Sequence, residues 1–143
     1  MLDQHLPYFP FAIPTWYMNI NYNPRIIPNG ETHDMQATGA NCQVFAYALL
    51  RYNGKLVPDL RSKELWEDQA YSTLSEKLEP LDILFFKKDH QPWGAHLGVY
   101  VGENRVIHLS RKVGKPIVWE LEEFALVPAY QVLIGAKRFR DGR

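Results

Sequence analysis

Three residues of this chain carry side chains suited to nucleophilic catalysis: Cys42, His96 and His108. A cysteine thiolate can attack a carbonyl carbon, one imidazole can take the thiol proton, and a second can orient the first. Cys42 is the only cysteine in 143 residues, which excludes an internal disulfide framework and a cysteine-rich zinc module. Two alternatives stay open. Cys42 can be a small buried hydrophobe, or the three residues can bind zinc with water as the fourth ligand.

The residues around Cys42 predict a loop followed by a helix over about 42–52. Thr38 or Asn41 can cap the start of this helix, because a short polar side chain accepts its free backbone N–H groups. A thiol in the first turn lies near the partial positive charge of the helix, so we expect its pKa to be lowered. Four residues at spacings of three or four share one stripe and should face the packing partner: Cys42, Phe45, Leu49 and Tyr52.

The two histidines belong to a predicted hairpin with strands over about 95–101 and 105–110. A turn centred on Gly102 places His96 directly opposite His108, with the Cβ atoms about 4.5–5.5 Å apart. The two imidazoles can then share a hydrogen bond, whereas a slip of one residue would put them on opposite faces. Gly98 lies on the same face and is expected to leave room for a helix to approach.

The rest of the chain predicts an α+β fold in one domain over residues 1–143. Residues 1–37 are rich in proline and aromatics and form an extended N-terminal arm, while the core covers 38–139. Asp59 is the expected cap of a second helix over about 61–69, and Tyr71 to Leu78 is expected to form a further helical turn. Short connections predict antiparallel pairing and a roughly five-stranded sheet under the N-terminal helices. The predicted strands span 81–86, 95–101, 105–110, 117–121 and 130–139.

Composition limits the classes of partner. Lysine plus arginine equals aspartate plus glutamate at 16 each, so no charge pattern indicates a nucleic acid or an anionic membrane. No apolar run approaches the roughly 20 residues needed to cross a bilayer, and no obligate partner is indicated. The N-terminus lacks a basic segment and is interrupted by prolines. We therefore expect a cytoplasmic protein if Met1 is the native start, and a secreted one if an upstream signal was removed.

Two residues near these elements are candidates for substrate binding. Trp93 lies in the loop before the histidine hairpin and, together with His90, can wall a groove, although packing is the alternative for tryptophan. Arg61 can hold a substrate carboxylate with two hydrogen bonds, although a surface salt bridge is the alternative. The backbone N–H of Cys42, unpaired at the helix start, can donate to an oxyanion.

These motifs resemble the NlpC-type cysteine peptidases, bacterial cell-wall endopeptidases with a compact papain-like fold. The family's Asp-Cys-Ser-Gly segment corresponds to residues 41–44, with Asn41 in place of the aspartate and Gln43-Val44 in place of Ser-Gly. Its His-Val-Gly-Ile-Tyr-Val-Gly strand corresponds to HLGVYVG at 96–102, and its Ile-His-Ala segment to 107–109. The resemblance covers about residues 38–139 and is most specific in the hairpin.

The resemblance implies a nucleophile at Cys42, a base at His96 and an orienting residue at His108, with no cofactor and no metal. Family members typically cleave the amide after γ-D-glutamate in cell-wall peptides, so the implied substrate is a small peptide derived from the cell wall. The family also places a tyrosine before the cysteine to help bind the oxyanion, and Tyr22 is the nearest candidate. Some relatives are amidases or acyltransferases, so a thiol-dependent acyltransferase and a non-catalytic peptide-binding domain remain alternatives.

Overall fold

The structure is a computed structural model that describes residues 3–142. Helices and strands alternate only partly along the chain, with most helices before the main strands. The helices are α1 (Met35–Thr38), α2 (Cys42–Tyr52), α3 (Ser62–Glu67) and α4 (Leu121–Ala125), with 3₁₀ turns at Thr15–Asn19 and Pro128–Tyr130. The strands are β1 (Ser72–Leu74), β2 (Ile83–Lys87), β3 (His96–Gly102), β4 (Arg105–Leu109), β5 (Pro116–Glu120) and β6 (Val132–Phe139).

The strands form one antiparallel sheet in the order β1-β6-β2-β3-β4-β5. This architecture confirms the predicted α+β fold, but the sheet has six strands rather than about five. The additional strand is β1, where a helical turn was predicted from Tyr71 to Leu78. That prediction was wrong because Ser72 to Leu74 pair with the end of β6. Three residues are too few to show a strand period, and the pairing partner lies far along the chain.

Helix α2 packs on one face of the sheet and thereby fixes the position of its first residue. Phe45 and Leu49 are buried in the same cluster as Leu97, Val99 and Ile107. Because side chains alternate along a strand, the even-numbered residues of β3 and β4 point to the opposite face. The predicted stripe fails only at its end: Tyr52 is 40% exposed and its hydroxyl donates to Asp3.

The N-terminal arm covers the outer side of α2, as its aromatic residues predicted. Ile13, Tyr17 and Ile20 are buried, and the Tyr17 ring stacks on Phe45 with centroids 3.9 Å apart. The Tyr17 hydroxyl donates to the Phe45 carbonyl. The arm is less extended than expected, because it contains a 3₁₀ turn and α1. The assignment of the whole chain to one domain stays a prediction.

Helix α3 positions the loop that precedes β3. It begins at Ser62 with Arg61 at the cap position, so the predicted cap, Asp59, is wrong. Asp59 instead accepts a hydrogen bond from Arg51 at 2.9 Å. The Ser62 hydroxyl accepts the backbone N–H of Gly94 at 2.8 Å, which ties the loop to the helix. Across residues 3–142, every helix is too short or too polar to span a bilayer.

Candidate active site

Asn41 fixes Cys42 at the first position of α2. The Asn41 side chain accepts the Val44 N–H at 2.8 Å, so Asn41 is the cap that the sequence left open between two residues. The Thr38 hydroxyl instead donates to backbone carbonyls. Cys42 is half-buried, and the backbone N–H groups of Leu97, Cys42 and Gln43 lie within hydrogen-bonding reach of its sulfur. The residue is therefore partly exposed, while its sulfur has three backbone donors nearby.

The ionisation of Cys42 differs from the expectation. Burial raises the pKa of the Cys42 thiol, and the three backbone N–H groups lower that pKa by less. The predicted lowering of the thiol pKa was therefore wrong, because desolvation of a thiolate outweighs the partial charge of the helix start. Burial therefore favours the neutral form of the Cys42 thiol.

His96 and His108 form a buried hydrogen-bonded pair. Nε2 of His96 and Nδ1 of His108 are 2.8 Å apart, and the rings are inclined at 76°. His96 is 9% exposed and His108 is fully buried. Burial lowers the pKa of both imidazoles, and proximity to His96 lowers the pKa of His108 further. Both rings are therefore neutral at ordinary pH.

The pairing register of the hairpin differs by two residues from the prediction. Val99 pairs with Ile107 and Tyr100 with Val106, and the register shifts between Tyr100 and Gly102. The turn is centred on Glu103 and Asn104, whose φ angles are 52° and 65°, as in the two-residue turns that match strand twist. A shift of two preserves the face of every side chain. His96 and His108 thus share a face as diagonal rather than direct neighbours.

Gly98 is required by β4 rather than by a helix. A Cβ at Gly98 would lie 2.5 Å from Cγ1 of Val106 and 3.3 Å from Cβ of His108. The predicted approach of a helix to this face was wrong, because α2 packs on the other face. The missing side chain instead lets His108 lie close to β3 and reach His96.

Cys42 lies beside the start of β3, the strand that carries His96. The sulfur is next to the Leu97 N–H, and His96 is the residue before it, with its side chain turned towards the opposite face of the sheet. The imidazoles and helix α2 therefore lie on opposite faces of the sheet, at the end of β3 that carries His96. Cys42 and His96 are thus linked through Leu97 and His96 is bonded to His108, while the catalytic roles of all three residues stay predictions.

An open groove of about 400 Å³ leads to the thiol. Cys42, Arg61, Lys63 and Trp93 line it together with the backbone at Gly94. Trp93 is 58% exposed, and the Lys63 ammonium lies 5.1 Å from the centroid of its ring, which argues against a packing role for this tryptophan. Arg61 is exposed, and among residues 3–142 its guanidinium has no ion-pair partner.

His90 does not line this groove, although it was expected to do so beside Trp93. The side chain is exposed in the loop before β3. Arg61 likewise does not form the surface salt bridge that was its alternative. The part of the chain that the structure describes contains no group of three or more His, Cys, Asp or Glu side chains arranged to hold a metal ion.

Tyr22 lies on the other flank of Cys42. It forms a parallel β-bridge with Ala40, and its backbone N–H donates to the Gly114 carbonyl at 3.0 Å. Burial raises the pKa of Tyr22, proximity to Cys42 raises it further, and Arg111 lowers it. The chain thus returns Tyr22 to the site across 19 intervening residues, while its role at an oxyanion stays a prediction.

Sequence reasoning missed the aromatic residues around the histidine pair. The Tyr130 ring stacks on His96 with centroids 4.2 Å apart and planes at 17°, and its hydroxyl is 3.2 Å from Oγ of Ser110. Trp119 and Phe124 contact the His108 ring. The spacing of these aromatic residues in the sequence did not indicate that they lie beside the histidines. They belong to β5, α4 and the 3₁₀ turn at Pro128–Tyr130, which contact the histidines only through tertiary packing.

We expect the alkylation of Cys42 by iodoacetamide to titrate above the ordinary thiol pKa of about 8.5, because burial raises that pKa. Cys42 is the sole cysteine, so intact mass reports this reaction alone. His96→Ala should not raise the apparent pKa, since a neutral imidazole supplies no charge to the thiolate. An apparent pKa below about 8.5 that rises in His96→Ala would instead indicate a thiolate–imidazolium ion pair between Cys42 and His96.

Stability should fall as the pH decreases below about 6.5. The folded pKa values of His96 and His108 lie below this unfolded value, so the unfolded chain binds more protons and is favoured at lower pH. The limit is about 1.4 kcal/mol per pH unit for each imidazole. Urea unfolding between about pH 7.5 and 5.5 measures the slope. His108→Gln should flatten this slope, and equal slopes in the parent and His108→Gln would contradict burial of neutral imidazoles.

No protein-family model and no curated protein sequence is similar enough to match this chain. Solved structures do share its fold. An NlpC/P60 family protein from Bacillus cereus ATCC 10987 aligns over 71% of this chain with a TM-score of 0.53 and 21% identity. The NlpC/p60 domain of the peptidoglycan hydrolase SagA aligns over 76% with a TM-score of 0.52 and 19% identity. The peptidoglycan hydrolase RipB from Mycobacterium tuberculosis aligns over 85% with a TM-score of 0.51 and 17% identity.

The alignments cover different shares of those proteins: 32% of the Bacillus cereus chain, 84% of the SagA domain and 58% of RipB. This chain therefore spans about a third of the length of the first protein and just over half of the third. At these identities the similarity concerns the fold. It confirms the NlpC-type fold expected from the sequence motifs.

Proposed function

We propose that this chain is a cysteine hydrolase that cleaves a peptide or isopeptide amide. The observation that carries the proposal is the placement of Cys42 at the start of α2, where the Leu97 backbone N–H is near its sulfur. Leu97 directly follows His96, which is hydrogen-bonded to His108. A nucleophile, a base and an orienting group are the parts that acyl transfer requires. The fold, shared with peptidoglycan hydrolases, favours a cell-wall peptide of the γ-D-glutamyl–diamino acid type.

In the proposed mechanism, His96 takes the proton from Sγ of Cys42 as the sulfur bonds to the carbonyl carbon. Because burial raises the thiol pKa, this transfer accompanies the attack instead of preceding it. The Cys42 N–H and the Tyr22 hydroxyl stabilise the charge on the carbonyl oxygen. The C–N bond then breaks, and the leaving amine takes the proton from His96. Water, deprotonated by His96, attacks the thioester and releases a carboxylic acid and the thiol.

Incubation with defined cell-wall tripeptides and tetrapeptides tests this function, with mass spectrometry of the products. Hydrolysis gives a free acid and a free amine, and chelator should not change the rate because the mechanism uses no metal. A new ester or amide would indicate an acyltransferase instead. No product from any peptide, with Cys42 still alkylated by iodoacetamide, would favour a binding domain. A cytoplasmic location, with imported or recycled wall peptides as substrates, also stays a prediction.

Arg61 is proposed to bind a carboxylate of the substrate. It is exposed and lines the groove, and the groove contains Lys63 but no acidic residue. Arg61→Gln should raise KM about tenfold with little change in kcat, because the contact is the same in the ground and transition states. The control is a peptide in which the carboxylate next to the scissile amide is replaced by an amide. Its steady-state kinetics are measured with the parent and with Arg61→Gln. If Arg61→Gln weakens both peptides equally, Arg61 does not bind this carboxylate.

A further inference from the structure

His108 has one nitrogen that the hydrogen-bonded pair does not use. Its Nδ1 is shared with Nε2 of His96 at 2.8 Å. Its Nε2 is also buried, but within residues 3–142 it has no hydrogen-bond partner. A buried polar atom without a partner is unfavourable. Since no hydrogen bond within residues 3–142 fixes the protonation of this nitrogen, the neighbouring side chains must decide whether it carries the proton.

The surroundings of that ring are aromatic. Trp119 lies with its centroid 4.5 Å from that of His108 at an angle of 64°, and Phe124 lies at 4.5 Å and 47°. Both aromatic rings therefore lie against the imidazole whose Nε2 has no partner among residues 3–142. An aromatic face carries partial negative charge, so it attracts an N–H group and repels a nitrogen lone pair.

The shared hydrogen bond couples the tautomers of the two imidazoles, so that the pair has two possible arrangements of its protons. Two neutral imidazoles have one proton each, and only one proton lies between them. If His108 is protonated on Nε2, its Nδ1 accepts from Nε2–H of His96, and Nδ1 of His96 is a free lone pair. If His108 is protonated on Nδ1, the proton of His96 must lie on Nδ1, and His96 cannot accept a proton from a thiol there.

We propose that Trp119 and Phe124 are positioning residues that select the first arrangement. Their rings favour an N–H over a lone pair at Nε2 of His108, and the shared bond transmits this choice to His96. His96 is thereby held with Nδ1 unprotonated and ready to act as a base. The catalytic consequence rests on the proposed function, but the tautomer is a property of the resting protein.

Tyr130 covers one face of the His96 ring without blocking Nδ1, the nitrogen proposed to act as the base. Its ring is nearly parallel to His96 at 4.2 Å, so it covers the face of the imidazole and leaves the edge with Nδ1 uncovered. Its hydroxyl is held near Ser110, which fixes the ring in place. The His96 ring therefore cannot turn over without displacing an anchored side chain.

Long-range ¹H–¹⁵N spectra of the histidine-labelled parent protein test the proposal directly. We expect Nδ1 of His96 and Nδ1 of His108 to have the shifts of unprotonated nitrogens, and both Nε2 atoms those of protonated nitrogens. The Nε2–H proton of His108 should be shifted upfield by the aromatic rings. A proton on Nδ1 of His96 would overturn the proposal, whatever the variants show.

Phe124→Leu and Trp119→Leu each remove one aromatic face while keeping an apolar side chain. Each should move the tautomer ratio about two- to fivefold towards protonated Nδ1 of His96, and should lower kcat by a similar factor without changing KM. Phe85→Leu is the matched control, because Phe85 is buried on the opposite face against Trp66. If the ratio moves equally in Phe85→Leu, or stays constant in both test variants, the rings do not select the tautomer.

The two proposals can fail separately. A parent protein with the expected tautomers but no hydrolysis of any peptide would leave the inference standing and remove the proposed function. Thiol-dependent hydrolysis with the tautomer ratio unchanged in Phe124→Leu and Trp119→Leu would keep the function and remove the inference. Because Trp119 is only partly buried, its variant still tests the idea if Phe124→Leu does not fold.

Discussion

Cys42→Ala is expected to lower turnover of a cleaved cell-wall peptide by at least about a thousandfold, because it removes the sulfur that forms the acyl intermediate. Cys42→Ser should be nearly as inactive, since the neighbouring imidazoles are neutral and buried and a hydroxyl is harder to deprotonate than a thiol. Initial rates measured by mass spectrometry at a saturating peptide concentration give the comparison.

Folding of the Cys42 variants is checked by circular dichroism and thermal unfolding. Cys42 is only half-buried, so Cys42→Ala should unfold within a few degrees of the parent. Leu126→Ala, which changes an 82% exposed side chain in the loop after α4, is the control for handling and should retain full activity. Substantial turnover by a correctly folded Cys42→Ala would remove the thiol from the mechanism and with it the proposed function.

The sequence predicts local features of this site well. The helix over 42–52, the choice of Thr38 or Asn41 as its cap, and the face shared by His96 and His108 all depend on residues close together in the chain. The antiparallel order of neighbouring strands follows from their short connections. The predicted register was wrong by two residues. The prediction that His96 and His108 share a face is still correct, because a shift of two leaves the side-chain alternation unchanged.

Features that depend on distant parts of the chain were not predictable in this way. Strand β1 forms because Ser72–Leu74 pair with β6, about sixty residues later. The turn at Glu103 and Asn104 requires positive φ at two residues other than glycine. The sequence instead favoured a turn centred on the neighbouring Gly102, because glycine adopts positive φ most easily. The thiol pKa depends on burial by elements packed around Cys42, whereas the sequence indicated only the helix start. The aromatic enclosure of His108 has the same origin, since β5 and α4 meet it through packing.

His96→Ala should reduce turnover almost as far as Cys42→Ala, because a nucleophile and its base act as a unit and their losses do not add. Truncation also opens a cavity beside Tyr130, whose ring stacks on His96. His96→Gln is therefore the second variant, since it keeps volume but cannot accept a proton at neutral pH. Both variants should retain alkylation of Cys42 by iodoacetamide, which separates loss of the base from loss of the nucleophile.

His108 variants should divide according to whether they can accept a hydrogen bond. His108→Leu removes the acceptor of the 2.8 Å bond to His96, and we expect a loss of about a hundredfold, smaller than that of His96→Ala because His108 transfers no proton. His108→Gln should recover about tenfold of this loss, since its amide oxygen can accept Nε2–H of His96. The exposed His90→Gln should match the parent. If His108→Leu is as active as the parent, His108 does not orient the base, and the hydrogen-bonded pair contributes to stability alone.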